Sequence, residues 1–290
     1  MNGAASGRGR RSSQGRRRPD ISLLLRMVVY LCAGITLLAL LLLIAYILVK
    51  GVPHLTVSLF ALEYTSENVS LLPALINTLM MTGLALLLSI PPGVGASIYL
   101  TEYADRNSKK VALIRLTAET LSGIPSIIYG LFGMLFFVTY WQWGYSLLAG
   151  AATLAIMVLP LIMRSTEEAL KATPDSYREA SFGLGAGKFR TVSRIVLPSA
   201  IPGILAGIIL AIGRIVGETA ALIYTAGSVA VICRDLLSSG RTLSLHMYLL
   251  SSEGLYTDQA YATAVVLLGL VLLLNLLSGR VAGKLTKGNE

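Results

Sequence analysis

Apolar residues fall in long runs along this chain, and polar residues collect in the stretches between them. An apolar run of about twenty residues is what an α-helix needs to cross a hydrocarbon core. Six such runs occur, at about 28–49, 72–101, 112–139, 146–163, 199–225 and 260–279, and they predict an all-α, polytopic membrane protein with six transmembrane helices. The second run is over-long and carries Pro91-Pro92, which removes two backbone donors and predicts a break or kink. The first is too long for the apolar region of a secretory signal and has no A-x-A cleavage site after it. It is expected to remain as an anchor. Between the last two runs, Leu243, Met247 and Leu250 recur at helical spacing beside Ser244, Ser251 and Ser252. This predicts a helix whose apolar stripe meets lipid or other spans, either as plain packing or as a docking surface.

Composition agrees: 54% of the residues are hydrophobic and 13% charged, far from a soluble domain of this length. The net charge of +9 follows from topology. Twenty Lys and Arg lie in the N-terminal arm, the segments after spans 2 and 4, and the tail, against Lys50, Arg234 and Arg241 on the other side. Positive loops stay inside, so both termini and the segment after span 4 are expected in the cytoplasm. The arm with Arg8, Arg10, Arg11, Arg16, Arg17 and Arg18 is Gly- and Ser-rich and expected to be disordered. Beside a membrane anchor it suits anionic lipid headgroups better than nucleic acid. Cys32 and Cys233 fall in regions that cannot pair, and His54 and His246 offer no metal-ligand spacing. No metal, cofactor or catalytic side-chain set is expected, and the chain is not read as an enzyme.

The most ordered polar segment runs from Glu179 to Pro198, EASFGLGAGKFRTVSRIVLP. Pro174 ends the preceding turn, and Asp175 and Ser176 offer acceptors for a helix over about 175–182. Gly183, Gly185 and Gly187 allow a reversal, and a second helix is expected from Lys188 towards Leu197-Pro198, where span 5 begins. Gly-Leu-Gly-Ala-Gly-Lys is not a phosphate-binding loop, because Phe182 and Phe189 stand where such a loop needs Gly and Ser or Thr. Energy must come from a partner. The spacing of Glu179-Ala180-Ser181, Gly185 and Ile195-x-Leu197-Pro198 resembles the EAA loop of bacterial type I ABC-importer permeases (MetI-like), with Ser181 in place of the usual Ala. The resemblance implies a short helix docking on a separate ATPase, through Glu179, Ala180, Ser181, Gly185, Leu197 and Pro198.

Arg214 and Glu218 are the costliest residues in the chain, since a charge deep in a span costs about 2.5–3.5 kcal/mol even on the lenient insertion scale. At i, i+4 on one helix they would share a face. They serve either as an ion pair locking spans together or as an anion site, the guanidinium offering forked donors and Glu218 orienting it. Pro125 in span 3 bends that helix and frees a carbonyl, with Ser126 adding a hydroxyl, for packing or for the wall of a path.

Arg214-Ile-Val-Gly-Glu-Thr-Ala-Ala-Leu222, Ser122-Gly-Ile-Pro-Ser-Ile-Ile-Tyr-Gly130 and His246-Met-Tyr-Leu-Leu-Ser-Ser-Glu-Gly254 are similar to signatures of phosphate-specific importer permeases. The Thr-Ala-Ala continuation and the length look like their PstA-type rather than PstC-type subunit. The resemblance implies a phosphate path through Arg214, Glu218, Thr219, Ser126 and Pro125. Its implied partners are a PstC-type sister permease, an ATP-binding cassette ATPase dimer and a periplasmic or lipid-anchored phosphate-binding protein, in the bacterial inner membrane. The expected organisation is a basic arm over 1–27, first span and outer loop over 28–70, permease core over 71–283 with the coupling loop at 175–198, and a cytoplasmic tail over 284–290. The alternatives are a permease for sulfate or molybdate, a gradient-driven anion transporter, or a signalling scaffold.

Overall fold

The computed structural model describes residues 19–105 and 108–287; the expectations for the Arg-rich arm, Arg106 and the last residues of the tail lie outside it. Two units are described separately, residues 1–46 and 47–290. In the first, the described residues belong to α1 (Pro19–Gly51), strongly apolar and with exposed side chains over 23–43, as a helix facing lipid requires.

The second unit is helical, with no strand among the described residues. Its long helices are α2 (Leu72–Ile98), α5 (Leu147–Ala172), α8 (Leu197–Val216) and α11 (Thr257–Lys287). Five helices of the chain are long and apolar enough to cross a membrane, and the bent pair α3 (Lys109–Ser122) and α4 (Ser126–Gly133) makes a sixth if it counts as one span. These six match the six apolar runs in order.

Helix α5 lies at the centre, with α2 and α8 packed on either side. Met81 and Ala85 of α2, Leu154, Val158 and Ile162 of α5, and Ala211 and Ile215 of α8 close the main core. At the crossing of α5 and α8, a Cβ on Gly203 would stand 2.6 Å from the Ala169 Cβ, and one on Gly207 would collide with Ser165. Glycine at both positions brings the two backbones close, the usual means of packing helices in lipid.

Three expectations change. Helix α2 runs through Pro91 and Pro92 without a break and forms one span to Tyr103. Both prolines sit on its exposed side, where Pro92 borders a hollow lined also by Phe137, Ala155 and Leu159. The third run is not a single kinked helix: α3 and α4 meet at 101° across Gly123–Pro125. Proline cannot continue the α3 ladder, and its φ of −58° with ψ of 141° turns the chain out of line before α4 starts. The fifth span ends at Val216, not near 225; after Gly217–Thr219 only the short α9 (Ala220–Ile223) follows.

The helix expected from Leu243, Met247 and Leu250 is α10 (Leu243–Glu253). Leu243 and Leu250 are buried, and the helix packs on α2, α9 and α11, so its stripe meets protein.

Candidate functional site

Two groups of residues carry the chemistry, one at each end of the long helix Lys188–Val216. At its start lies a hairpin. Helix α6 (Asp175–Gly183) leads through a turn at Leu184–Gly187 into α7 (Lys188–Thr191), which continues through a π-turn, Val192–Val196, into α8. The second arm is therefore the foot of the span itself rather than a separate helix. Of the three glycines in the reversal, Gly185 alone takes a positive φ, +80°. Asp175 and Ser176 do not cap α6, whose N-cap is Pro174; Asp175 instead accepts a hydrogen bond from Arg178 Nη1 at 3.1 Å.

The hairpin residues divide by environment. Glu179, Ala180 and Gly185 are exposed. Leu184 at 89% and Phe189 at 77% exposure stand out beside them, apolar surface that water alone would not favour. Around them Tyr177, Ala180, Leu184, Arg190 and Arg194 line a hollow of about 490 Å³. Ser181 is buried, and its hydroxyl meets the Thr191 hydroxyl at 2.8 Å, tying the two arms together. Alanine could not make that bond. Leu197 packs on a small core of Leu170, Val196, Ala200 and Ile204, and Pro198 follows it into the span, so this pair anchors the hairpin rather than facing outward.

Sequence reasoning missed the residues that fasten the hairpin to the bundle. Arg178 Nη2 and Nε donate to both carboxylate oxygens of Glu102, at 2.7 and 3.3 Å, and the guanidinium also bonds the carbonyls of Thr173 and Leu170. The Glu102 hydrogen bond, ahead of the attraction of its charge, pushes the Arg178 pKa up. Lys188 lies 5.3 Å over the Tyr103 ring. Arg115 of α3 bonds Glu167 of α5 at 3.0 Å and the Leu100 carbonyl at 3.1 Å, and Lys171 bonds Glu167 at 2.8 Å. Glu102 and Arg178 are 76 residues apart, and nothing in a single sequence pairs them.

At the other end of the helix, Arg214 occupies the last turn of α8, half-buried. Glu218 lies beyond the helix end, so the two do not share a helical face. The Glu218 carboxylate accepts from the Ala221 N–H at 3.1 Å and its carbonyl accepts from the Ser244 hydroxyl at 2.6 Å. Gly217 starts the break, and the carboxylate is spent on opening α9. Among the described residues, no carboxylate stands within ion-pair distance of Arg214. Tyr129 of α4 is buried and donates its hydroxyl to the Leu121 carbonyl at 2.7 Å. That bond bridges the bend at a carbonyl that also accepts from the Ile124 N–H at 3.1 Å.

Beside the break is a cavity of about 520 Å³ between α4, α9, α10 and α11. Thr219 lines it with Ile127, Tyr224, Tyr248, Ser251 and Tyr261, while Arg214, Glu218, Pro125 and Ser126 are not in its wall. The structure thus brings the Pro125–Gly130 segment against α9, and it lines the cavity with hydroxyl side chains outside the expected path, Tyr248 and Ser251 from the third motif together with Tyr224 and Tyr261.

Residues 93–287 match the family described as binding-protein-dependent transport system inner membrane component. A probable ABC transporter permease protein, YqgI, of Bacillus subtilis is 34% identical over 85% of this chain and 90% of its own length. The phosphate transport system permease protein PstA of Pasteurella multocida is 35% identical over 79% of this chain and 83% of its own. Among solved structures, an inward-facing MetNI methionine ABC transporter matches with a TM-score of 0.65 at 23% identity, over 74% of this chain and 96% of that one. A bacterial ABC transporter involved in import of the polysaccharide alginate matches with a TM-score of 0.56 at 15% identity, over 90% of this chain and 99% of that one. These two show the fold. The chain belongs to the binding-protein-dependent transport system inner membrane component family and is a multi-pass permease subunit of an ABC importer.

Proposed function

We propose that this permease passes inorganic phosphate into a bacterial cell through the inner membrane, paired with a PstC-type sister subunit. An ATPase dimer docks on the hairpin 175–198 from the cytoplasm, and a phosphate-binding protein delivers substrate from outside. Both termini lie in the cytoplasm, the arm over 1–27 meets anionic lipid, and residues 71–283 form the permease core. ATP hydrolysis belongs to the partner.

The observation that carries the reading is Arg214. A half-buried guanidinium with no carboxylate partner among the described residues keeps its forked donors available to an anion, and phosphate oxygens match that fork. Several relatives bear the name of phosphate permease, which supports the choice of anion. Glu218 shapes the site by fixing the turn that follows Arg214, and Thr219 opens into the adjacent cavity. Pro125 and Ser126 start α4, which packs against α9 just beyond Glu218. On the hairpin, Glu179, Ala180 and Gly185 face the ATPase, Ser181 stiffens the lever, and Leu197 and Pro198 seat it.

The test is uptake of labelled phosphate by the complete complex in liposomes, with excess sulfate or molybdate outside. Phosphate flux unaffected by either competitor and lost with Arg214→Ala is expected. Competition by sulfate or molybdate would reassign the substrate, and undiminished flux with Arg214→Ala would remove the site.

A further inference from the structure

Helix α6 packs chiefly on α7 and the π-turn that follows, within its own hairpin. A load applied to α6 therefore reaches α8 directly, because the second arm is the foot of that span. Its route to the other spans is less obvious, since no broad apolar contact joins α6 to α2. What joins them is side chains, and these converge on two successive residues.

Glu102 and Tyr103 end the second span, in a π-turn, Tyr99–Tyr103. Arg178, from the first arm, holds Glu102 with two charge-assisted bonds in the forked geometry that fixes direction as well as distance. Lys188, from the second arm, sits over Tyr103. The pair Arg178–Glu102 is largely shielded, with side-chain exposures of 14% and 8%, so water competes little for it. The same guanidinium closes the last carbonyls of α5 through Leu170 and Thr173. From the π-turn the chain of contacts goes on: Arg115 of α3 bonds the Leu100 carbonyl and Glu167 of α5. Single widened turns of this type are frequent at functional sites.

We propose that Glu102 and Tyr103 are the receiving point through which motion of the hairpin enters the second span, with Arg178 and Lys188 as the two grips. This rests on the importer reading and adds positioning residues to it, none of which touches substrate. An isosteric Glu102→Gln keeps the size of the side chain and removes the charge that holds the fork. The hairpin can still bind its ATPase, but its travel is taken up in a slack joint.

The experiment uses the complete complex in liposomes, reading ATP hydrolysis and labelled phosphate uptake from the same vesicles, with ATPase retention measured on the purified complex. Glu102→Gln is expected to retain the ATPase and hydrolyse ATP while moving about tenfold less phosphate per ATP, the scale of one lost charge-assisted hydrogen bond. Glu102→Asp, which keeps the charge, should recover most of that ratio. Should Glu102→Gln keep the permease itself from folding into the membrane, Lys188→Met on the exposed second grip decides, with a smaller fall in the ratio expected. An unchanged ratio in the assembled variants overturns the proposal, as does loss of the ATPase from Glu102→Gln, which would make the pair a docking element. Wild-type complex that binds no ATPase overturns the importer reading itself, a result visible before any variant is made.

Discussion

Arg178 and Arg214 are both partly buried guanidiniums near opposite ends of one continuous stretch of chain. Arg178 has a carboxylate in its fork, a second acid at 3.1 Å and two backbone carbonyls. Arg214 has no ion pair among the described residues, although Glu218 stands four positions away in sequence. The difference comes from backbone, not composition. Around Arg178 three helix ends meet, and their free carbonyls and acids satisfy it. Around Arg214 the helix stops one turn early, and the acid that could have neutralised it is turned away to hold α9. A satisfied arginine fastens parts together; an arginine left with unused donors is available to a guest.

The sharpest way to break this contrast is Arg214→Ala, for which phosphate uptake should fall about a hundredfold or more, as expected when a desolvated charge pair loses one partner. ATPase retention should be unchanged. Glu218→Gln separates two roles for the acid. Because the amide oxygen can still accept from the Ala221 N–H, uptake should drop by less than about tenfold. A loss as deep as that of Arg214→Ala would mean that the carboxylate charge acts on the guanidinium after all. At the hairpin, Ser181→Ala should cost about 1 kcal/mol, the scale of one buried hydroxyl hydrogen bond, read as a lower thermal midpoint of the purified complex. Uptake per ATP should stay close to wild type, since alanine is the family's usual residue there.

The smallest effect concerns a second cation near the Arg214 end. Arg241 lies 4.6 Å over the Tyr64 ring, and His246 meets the same ring edge-on at 6.1 Å. The histidine is fully buried in α10, and neither ring nitrogen has a partner at full hydrogen-bond geometry, the Val69 backbone exerting only a weak opposing pull. Burial first, and the Arg241 charge second, push its pKa down to about 3. Its folded value is thus below its unfolded value of about 6.5, so the unfolded chain takes up the proton first. Stability is full well above that pH and declines as the pH falls through it towards 3, by about 0.7 kcal/mol between pH 7 and 6. Thermal midpoints across that range should show the decline, and His246→Gln should flatten it.

Much of this was legible in the chain. The six apolar runs marked the spans because length and hydropathy alone decide what crosses a bilayer. The Glu179 to Pro198 spacing marked the hairpin because a turn of fixed geometry needs glycine at one place, Gly185. The bend at Gly123–Pro125 was half legible. A proline announces an interruption, but whether the chain kinks or turns through 101° depends on what Tyr129 and α9 offer on the far side. Pro91-Pro92 pointed to a break that is not there, since α2 continues through both with the pair on its exposed side. The premature end of α8 was hidden by an apolar run that continues past it. The Arg178–Glu102 pair was invisible, because a contact across 76 residues leaves no local trace.

The crossing of α5 and α8 at Gly203 and Gly207 gives the long helix a fulcrum. Lys188 lies about 25 Å to one side of it and Arg214 about 14 Å to the other, at 1.5 Å per residue. A rock of about ten degrees about that point would swing the foot roughly 4 Å and the guanidinium roughly 2 Å the opposite way. Gearing of that kind turns a coarse stroke at one membrane face into a displacement the size of a hydrogen bond at the other.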